Sequence, residues 1–282
     1  MNLRPITCCC LLLSLCLGGQ LYAQQKLALK YTPEAGTTWE EMLTGNLRDI
    51  LLQGQPLGYT GSATTKLKSE IVSRDADQQF SLVKLNCDDV TAKLNGQTTK
   101  PTPPTPVTLK VTELGCVSLP EQSKTAFNLL DTGGVPLQVI AILAHGLRFS
   151  DEAVGVGEEW VCQDSYNLPG VGDVRINTRW RLMSFTDGVA TIASTAAGAL
   201  PDFKAPSPMG GADMDMKNGK LYITEMKQEY DVGKSRVLTT NGKVRIDAVA
   251  DLAGMQVPVS LAMQFKLEQA EPAAEPAAEP AK

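Results

Sequence analysis

Strict alternation of apolar and polar residues is the feature that most constrains the fold of this 282-residue chain. Near its end, apolar residues occupy every second position: Val257, Val259, Leu261, Met263, Phe265 and Leu267. Successive side chains of a β-strand point to opposite faces, so this spacing predicts a strand that buries one face. The same alternation recurs at 244–248 and 174–182. We therefore predict a mainly β (α+β) fold with a large, twisted antiparallel sheet that can curl into a half-barrel.

Turn signals divide these strands. Asn-Gly pairs at 95–96, 218–219 and 241–242 favour type I′ turns, because both residues tolerate positive φ angles, and we expect the chain to reverse at each pair. Another long hairpin is predicted over 62–94, with its turn near Arg74 to Asp77. By contrast, four prolines within 101–106 remove backbone donors, which predicts a connector between strands.

One segment departs from the β pattern. The apolar run Val135 to Leu147 has a proline near its start and a glycine near its end, which is typical of a helix. It is apolar nearly all round, so we expect it to be buried against the sheet. A short helix is also predicted at 121–130, and 38–53 can be helix or strand. The prediction is one β-rich domain, 24–267, with a helical segment at about 121–148.

The two ends of the chain carry different signals. Residues 1–23 contain one charge, Arg4, and an apolar run from Ile6 to Leu17, which is typical of a secretory signal peptide cut after Ala23. Lipid anchoring at Cys16 is less favoured because Leu15 precedes it. Residues 268–282 repeat Glu, Pro and Ala, and a disordered tail is predicted. We expect an exported protein, periplasmic or extracellular.

The cysteines allow several states of oxidation. Four of the seven lie within the predicted signal peptide, which leaves Cys87, Cys116 and Cys162. None belongs to a Cys-x-x-Cys motif. In a compartment that permits disulfides, one bridge plus a buried thiol fits, and so do three buried thiols. Sequence alone does not choose a pair.

Charge and composition argue against several classes of partner and chemistry. The formal net charge is −5 with no long basic cluster, so nucleic acid is a poor partner, and no segment is long and apolar enough to predict a transmembrane helix. The single histidine, His145, lies in the predicted helix without a neighbour in sequence to orient it. We interpret it as a core or helix-terminal residue and expect no catalytic residue, His-ligated metal or cofactor.

Two weaker patterns bear on metal and hydrolase chemistry. Asp213 and Asp215 begin a calcium-like loop, but Lys217 and Thr224 occupy ligand positions and the pattern fails. The sulfurs of Met209, Met214 and Met216 could bind Cu(I). The simpler interpretation of this segment is a loop that runs into a strand. Acidic pairs that could serve a hydrolase are Asp88 with Asp89, and Glu158 with Glu159 and Asp164.

Three short motifs together resemble a known group: residues 29–36 (LKYTPEAG), 111–117 (VTELGCV) and 153–160 (AVGVGEEW). They are similar to an uncharacterised group of exported bacterial β-rich proteins, a domain of unknown function. The resemblance implies architecture and export, and it carries no assigned reaction. The sequence therefore favours a non-enzymatic cell-envelope or periplasmic binding protein. Its expected partner is a hydrophobic ligand held in an apolar cavity, or another protein of the envelope. The alternative is a carboxylate-pair hydrolase.

Overall fold

The structure, a computed structural model, describes residues 26–58, 60–124, 135–168, 171–205, 214–252 and 254–270. Within these ranges the chain forms strands and two helices. The strands are β1 (Thr38–Leu52), β2 (Gln55–Pro56), β3 (Gly61–Asp75), β4 (Phe80–Leu94), β5 (Gln97–Thr99), β6 (Val107–Thr112), β7 (Val117–Ser118), β8 (Glu159–Leu168), β9 (Gly172–Thr186), β10 (Val189–Leu200), β11 (Phe203–Ala205), β12 (Met214–Asp231), β13 (Arg236–Leu252) and β14 (Met255–Gln269). The helices are α1 (Glu121–Lys124) and α2 (Leu137–His145).

All described strands join one antiparallel sheet that is nearly closed into a barrel, which confirms the predicted fold class. Its order is β7-β6-β4-β3-β1-β14-β13-β12-β10-β9-β8, and the short strands β2, β5 and β11 pair with β1, β4 and β12. Each half of the chain is thus a meander. The two meanders meet at the centre, where β1 pairs with β14.

Burial alternates along the strands as the sequence predicts. In β9, for example, Val174, Ile176, Trp180 and Leu182 are buried while the residues between them are largely exposed. The inward side chains of both meanders form one main core, because each strand contributes one apolar face. The segment 38–53, which the sequence left open between helix and strand, is β1 up to Leu52.

The Asn-Gly predictions have mixed outcomes. Asn95 and Gly96 form the turn between β4 and β5 with φ angles of 49° and 86°, as expected. The reversals predicted at 218–219 and 241–242 are wrong, because both pairs lie inside continuous strands. The positive φ of Asn218 serves a register shift between Lys217 and Lys220, and Gly242 leaves room for the ring of Phe265.

The helical segment and the chain ends refine the predicted boundaries. α2 lies within the predicted helix, and α1 occupies the start of the predicted 121–130 helix; residues 125–134 lie outside the described residues. β14 continues to Gln269, two residues past the predicted domain end. The predicted signal peptide, Met209, Asp213 and the residues after Ala270 also lie outside the described residues.

α2 packs on the inner face of the sheet, against β1, β13 and β14. Gly45 of β1 allows a close approach, since a side chain there would collide with Ile140 and Val135. Ile140 is 1% exposed and Leu137 is fully buried. The helix is therefore part of the core, as its apolar sequence predicts.

The two edge strands, β7 and β8, approach each other along a line that we call the seam. The loop after α2 fills it: Phe149 donates its backbone N–H to the Leu114 carbonyl over 2.9 Å, and Arg148 Nη1 donates to the same carbonyl over 2.8 Å. Arg148 Nε lies 3.3 Å from Asp164 Oδ1 on β8. The loop thereby connects both edges of the sheet.

Candidate functional site

A buried polar cluster holds the end of α2 to the sheet. His145 Nε2 lies 2.9 Å from Glu41 Oε2 on β1, and Ser69 Oγ on β3 donates to the same oxygen over 3.1 Å. Glu41 and Ser69 are both fully buried. Burying a carboxylate is costly unless it is paired and hydrogen-bonded, so this contact fixes where the helix can sit.

The surroundings of His145 favour its charged form. Its Nδ1 lies 3.0 Å from the Ala141 carbonyl, an acceptor, and its Nε2 faces the Glu41 carboxylate, also an acceptor. Only an imidazolium can donate to both. Burial lowers the pKa of His145, but the charge of Glu41 and the hydrogen bonds to Glu41 and Ala141 outweigh it, and the pKa is raised overall.

The residues next to His145 in sequence do not orient it; the fold supplies its partner, Glu41, from 104 residues away. The cluster nevertheless differs from a Ser/His/acid triad. In a triad the serine and the carboxylate bind opposite ring nitrogens, whereas here Ser69 Oγ lies 3.3 Å from Nε2, the same nitrogen that faces Glu41. The arrangement can hold a helix but does not set up a nucleophile.

Two further side chains satisfy the carboxyl end of α2. Thr240 Oγ1 donates to the Ala144 carbonyl over 2.7 Å, and Gln228 Nε2 donates to the same oxygen over 3.0 Å. The last carbonyls of a helix have no partner within the helix, so buried ends need such donors. Both residues are fully buried and lie on β13 and β12, which ties α2 to the second meander.

Past α2, the inner face of the sheet presents a row of partly buried apolar residues. Register places Ile50 opposite Leu261, Leu261 opposite Ile246, and Ile246 opposite Leu221. Directly opposed residues share a face, so these four side chains form one strip across β1, β14, β13 and β12. We call these four residues the inner apolar surface. All four pack against the main core yet keep part of their area exposed.

A second apolar cluster extends this surface toward the ends of the strands. Met216, Ala248 and Ala250 are buried there, with Phe203, Met214 and Val259 packed against them. Met216 therefore lies among apolar side chains. Within the described ranges, no three His, Cys, Asp or Glu side chains gather closely enough to hold a metal ion.

Space beside α2 is small. A cavity of about 10 Å³, roughly the room one water molecule needs, lies next to the helix. Its lining includes Cys87, Val107, Gln138 and Ile142. An apolar ligand of lipid size does not fit into this cavity unless α2 moves.

Several of the candidate carboxylates have local partners. Glu158 accepts the backbone N–H of Gly155 over 2.8 Å and pairs with Lys26, so hydrogen bonding lowers its pKa. Asp164 pairs with Arg148, and Asp215 lies 3.8 Å from Lys204. Such contacts are typical of strand faces and turns, and they give the hydrolase alternative no specific support.

The cysteines occupy two regions. Cys87 is buried on β4, whereas Cys116 and Cys162 are partly buried at the seam. In the part of the chain that the structure describes, neither helix has the length and hydrophobicity required to cross a membrane.

No protein-family model matches the chain, and no curated protein matches it. Four solved chains match, among them a structure of lipid–protein interactions in lipovitellin, with a TM-score of 0.47 and 9% identity. That match covers 87% of this chain and 26% of the lipovitellin chain, so this chain spans about a quarter of its length. Similarity at this level does not establish a shared function.

Proposed function

We propose that the protein is a non-enzymatic, exported binding protein that holds an apolar ligand on the inner apolar surface. The observation that carries the proposal is the row Ile50, Leu261, Ile246 and Leu221, which faces inward but stays partly exposed. Covering such side chains is favourable by about 25 cal/mol per Å² of apolar area. A curved sheet offers this area as a concave surface, the shape that small-molecule sites generally have.

α2 sets the depth to which a ligand can enter. It packs over Gly45 of β1, which lies two inward-facing residue pairs along the sheet from the row that contains Ile50. Its end is held by Glu41, Thr240 and Gln228. The ligand therefore lies beyond the helix in the folded state, and deeper entry requires breaking these contacts.

Fluorescence titration with a fluorescent fatty acid tests the proposal. The wild-type protein should bind the probe while it is natively folded, and unlabelled fatty acid should displace it. Leu221→Gln should weaken binding at least about fivefold, because it places an amide in the apolar row. Lys220→Gln is the matched control, since Lys220 is exposed on the opposite face of β12, and its affinity should match wild type.

Circular dichroism of each variant must show an intact sheet. Absence of probe binding to folded wild-type protein would overturn the proposal, and so would equal binding by both variants and wild type.

The exported state has its own test. Protein recovered from the native cell envelope or medium should begin at Gln24, whereas an intact mass that includes Met1 would contradict export.

A further inference from the structure

We propose that Cys116 and Cys162 form a disulfide bond that fastens the seam. The pairing is independent of the proposed ligand, because it concerns the edges of the sheet and not its inner apolar surface. It selects one pair among the three cysteines outside the predicted signal peptide and leaves Cys87 as a buried thiol.

The Cys116 side chain reaches across the seam to the strand that carries Cys162. Cys116 lies immediately before β7, and its Sγ donates to Asp164 Oδ1 on β8 over 3.6 Å. Cys162 precedes Asp164 by two residues, so both side chains project from the same face of β8. Cys116 therefore points at the face of β8 from which Cys162 projects.

Shared electrostatic neighbours support this proximity. Burial raises the pKa of the Cys162 thiol to about 11, and the charges of Asp164 and Cys116 contribute in the same direction while Arg148 opposes them. Burial also raises the pKa of Cys116, with Arg148 and Asp164 again acting on it. Cys87 instead lines the small cavity beside α2, together with Gln138 and Ile142.

Bond formation requires an oxidant, for which a small-molecule disulfide such as oxidised glutathione suffices. One cysteine thiolate attacks that disulfide and releases one thiol; the second cysteine then displaces the other thiol and closes the S–S bond. Two electrons and two protons pass to the small molecule, which leaves as two thiols. Because the folded thiols have raised pKa values, we expect oxidation to be faster before the seam is buried.

The bond would close a loop of about 45 residues that contains both helices. Asp164 would lose the Cys116 hydrogen bond but keep Arg148, which lies 3.3 Å away. The edges of the sheet would then be joined covalently at the place where Arg148 and the loop after α2 already connect them.

Peptide mapping of the chain from Gln24 onward, which lacks the four cysteines of residues 1–23, tests the pairing. Protein refolded with oxidised glutathione should give a cross-linked peptide that contains Cys116 and Cys162, and should weigh about 2 Da less than the reduced protein. Cys116→Ser and Cys162→Ser should each abolish this peptide, whereas Cys87→Ser should retain it. Reduction should lower the melting temperature of wild type and Cys87→Ser by about 5–15 °C and leave the other two variants unchanged.

Three reactive thiols in unfolded wild-type protein after the glutathione treatment would overturn the proposal, and so would a cross-link that involves Cys87. The wild-type peptide map decides the pairing even if a serine variant fails to fold.

Discussion

His145 Nε2 and Glu41 Oε2 lie 2.9 Å apart inside the barrel, and this pair joins α2 to the central strand β1. Glu41 is fully buried, and the side chain of His145 is 11% exposed. Because this pair is shielded from water, breaking it should cost more stability than breaking a surface ion pair of the same strand.

The first prediction compares two adjacent glutamates. Glu41→Ala leaves the His145 charge buried without its partner, so we expect the free energy of unfolding to fall by about 3–5 kcal/mol. Glu40→Ala removes an exposed partner of Lys66 from the outer face and should cost less than about 1 kcal/mol. Urea denaturation of both variants measures the difference. Equal losses would mean that the buried Glu41–His145 pair adds no more stability than the exposed Glu40–Lys66 pair.

The second prediction concerns pH. Burial lowers the pKa of His145, but the charge of Glu41 and the hydrogen bonds raise it by a larger amount. The folded-state pKa therefore exceeds the unfolded value of about 6.5. The stabilisation is then complete below about pH 6.5 and is lost as the pH rises through the folded-state pKa. As the pH rises from about 6.5 through the folded-state pKa, wild type should lose stability relative to His145→Gln. Parallel pH profiles for the two proteins would contradict this assignment.

The third prediction tests whether α2 is core. Ile140→Asp places an unpaired carboxylate at a position that is 1% exposed, over Gly45, and should cost several kcal/mol. Ile142→Asp is the control on the same helix, because Ile142 is only partly buried, and its cost should be clearly smaller. Thermal unfolding followed by circular dichroism gives both values. A helix that swings away from the sheet would make the two variants equivalent.

The fourth prediction concerns Gly115 at the seam. Its φ angle is +78°, and a Cβ there would collide with the backbone carbonyl of Leu147. Gly115→Ala should therefore cost more than about 3 kcal/mol, because backbone must move. Gly157→Ala is the matched control: its φ angle is +89° with open space around it, so only the backbone penalty of about 1–2 kcal/mol remains. Chemical denaturation should separate the two variants.

The fifth prediction places the end of the folded domain. Removing residues 271–282 should change the melting temperature by no more than about 1 °C, because that segment contains no apolar residue larger than Ala. Removing residues 268–282 also deletes Glu268 and Gln269, which pair with Met42 and Glu41 on β1, and should lower it measurably. Equal melting temperatures for both truncations would show that the last pairs of β14 add no stability.

Local signals predicted the strands, whereas the site depends on distant pairing. Alternation along 257–267 is a property of one segment, and it was sufficient to predict β14. The Glu41 and His145 contact joins residues 104 positions apart, and no local pattern marks it. The row containing Ile50 depends on the register shift between Leu47 and Asp49, which turns Ile50 inward. Asn218 shows that a local signal can also mislead, because a residue with a positive φ angle fits a hairpin turn and a β-bulge equally well.

The pairing of β1 with β14 also has a consequence for the order of synthesis. The ribosome makes β1 first among the long strands and β14 last, so the central pair of the sheet cannot form until translation of the domain is almost finished. Until then the first meander exposes the edge of β1, an unpaired template for wrong partners. Such long-range closure predicts slow folding, and a chaperone that shields β1 during this interval would raise the yield of correctly folded protein.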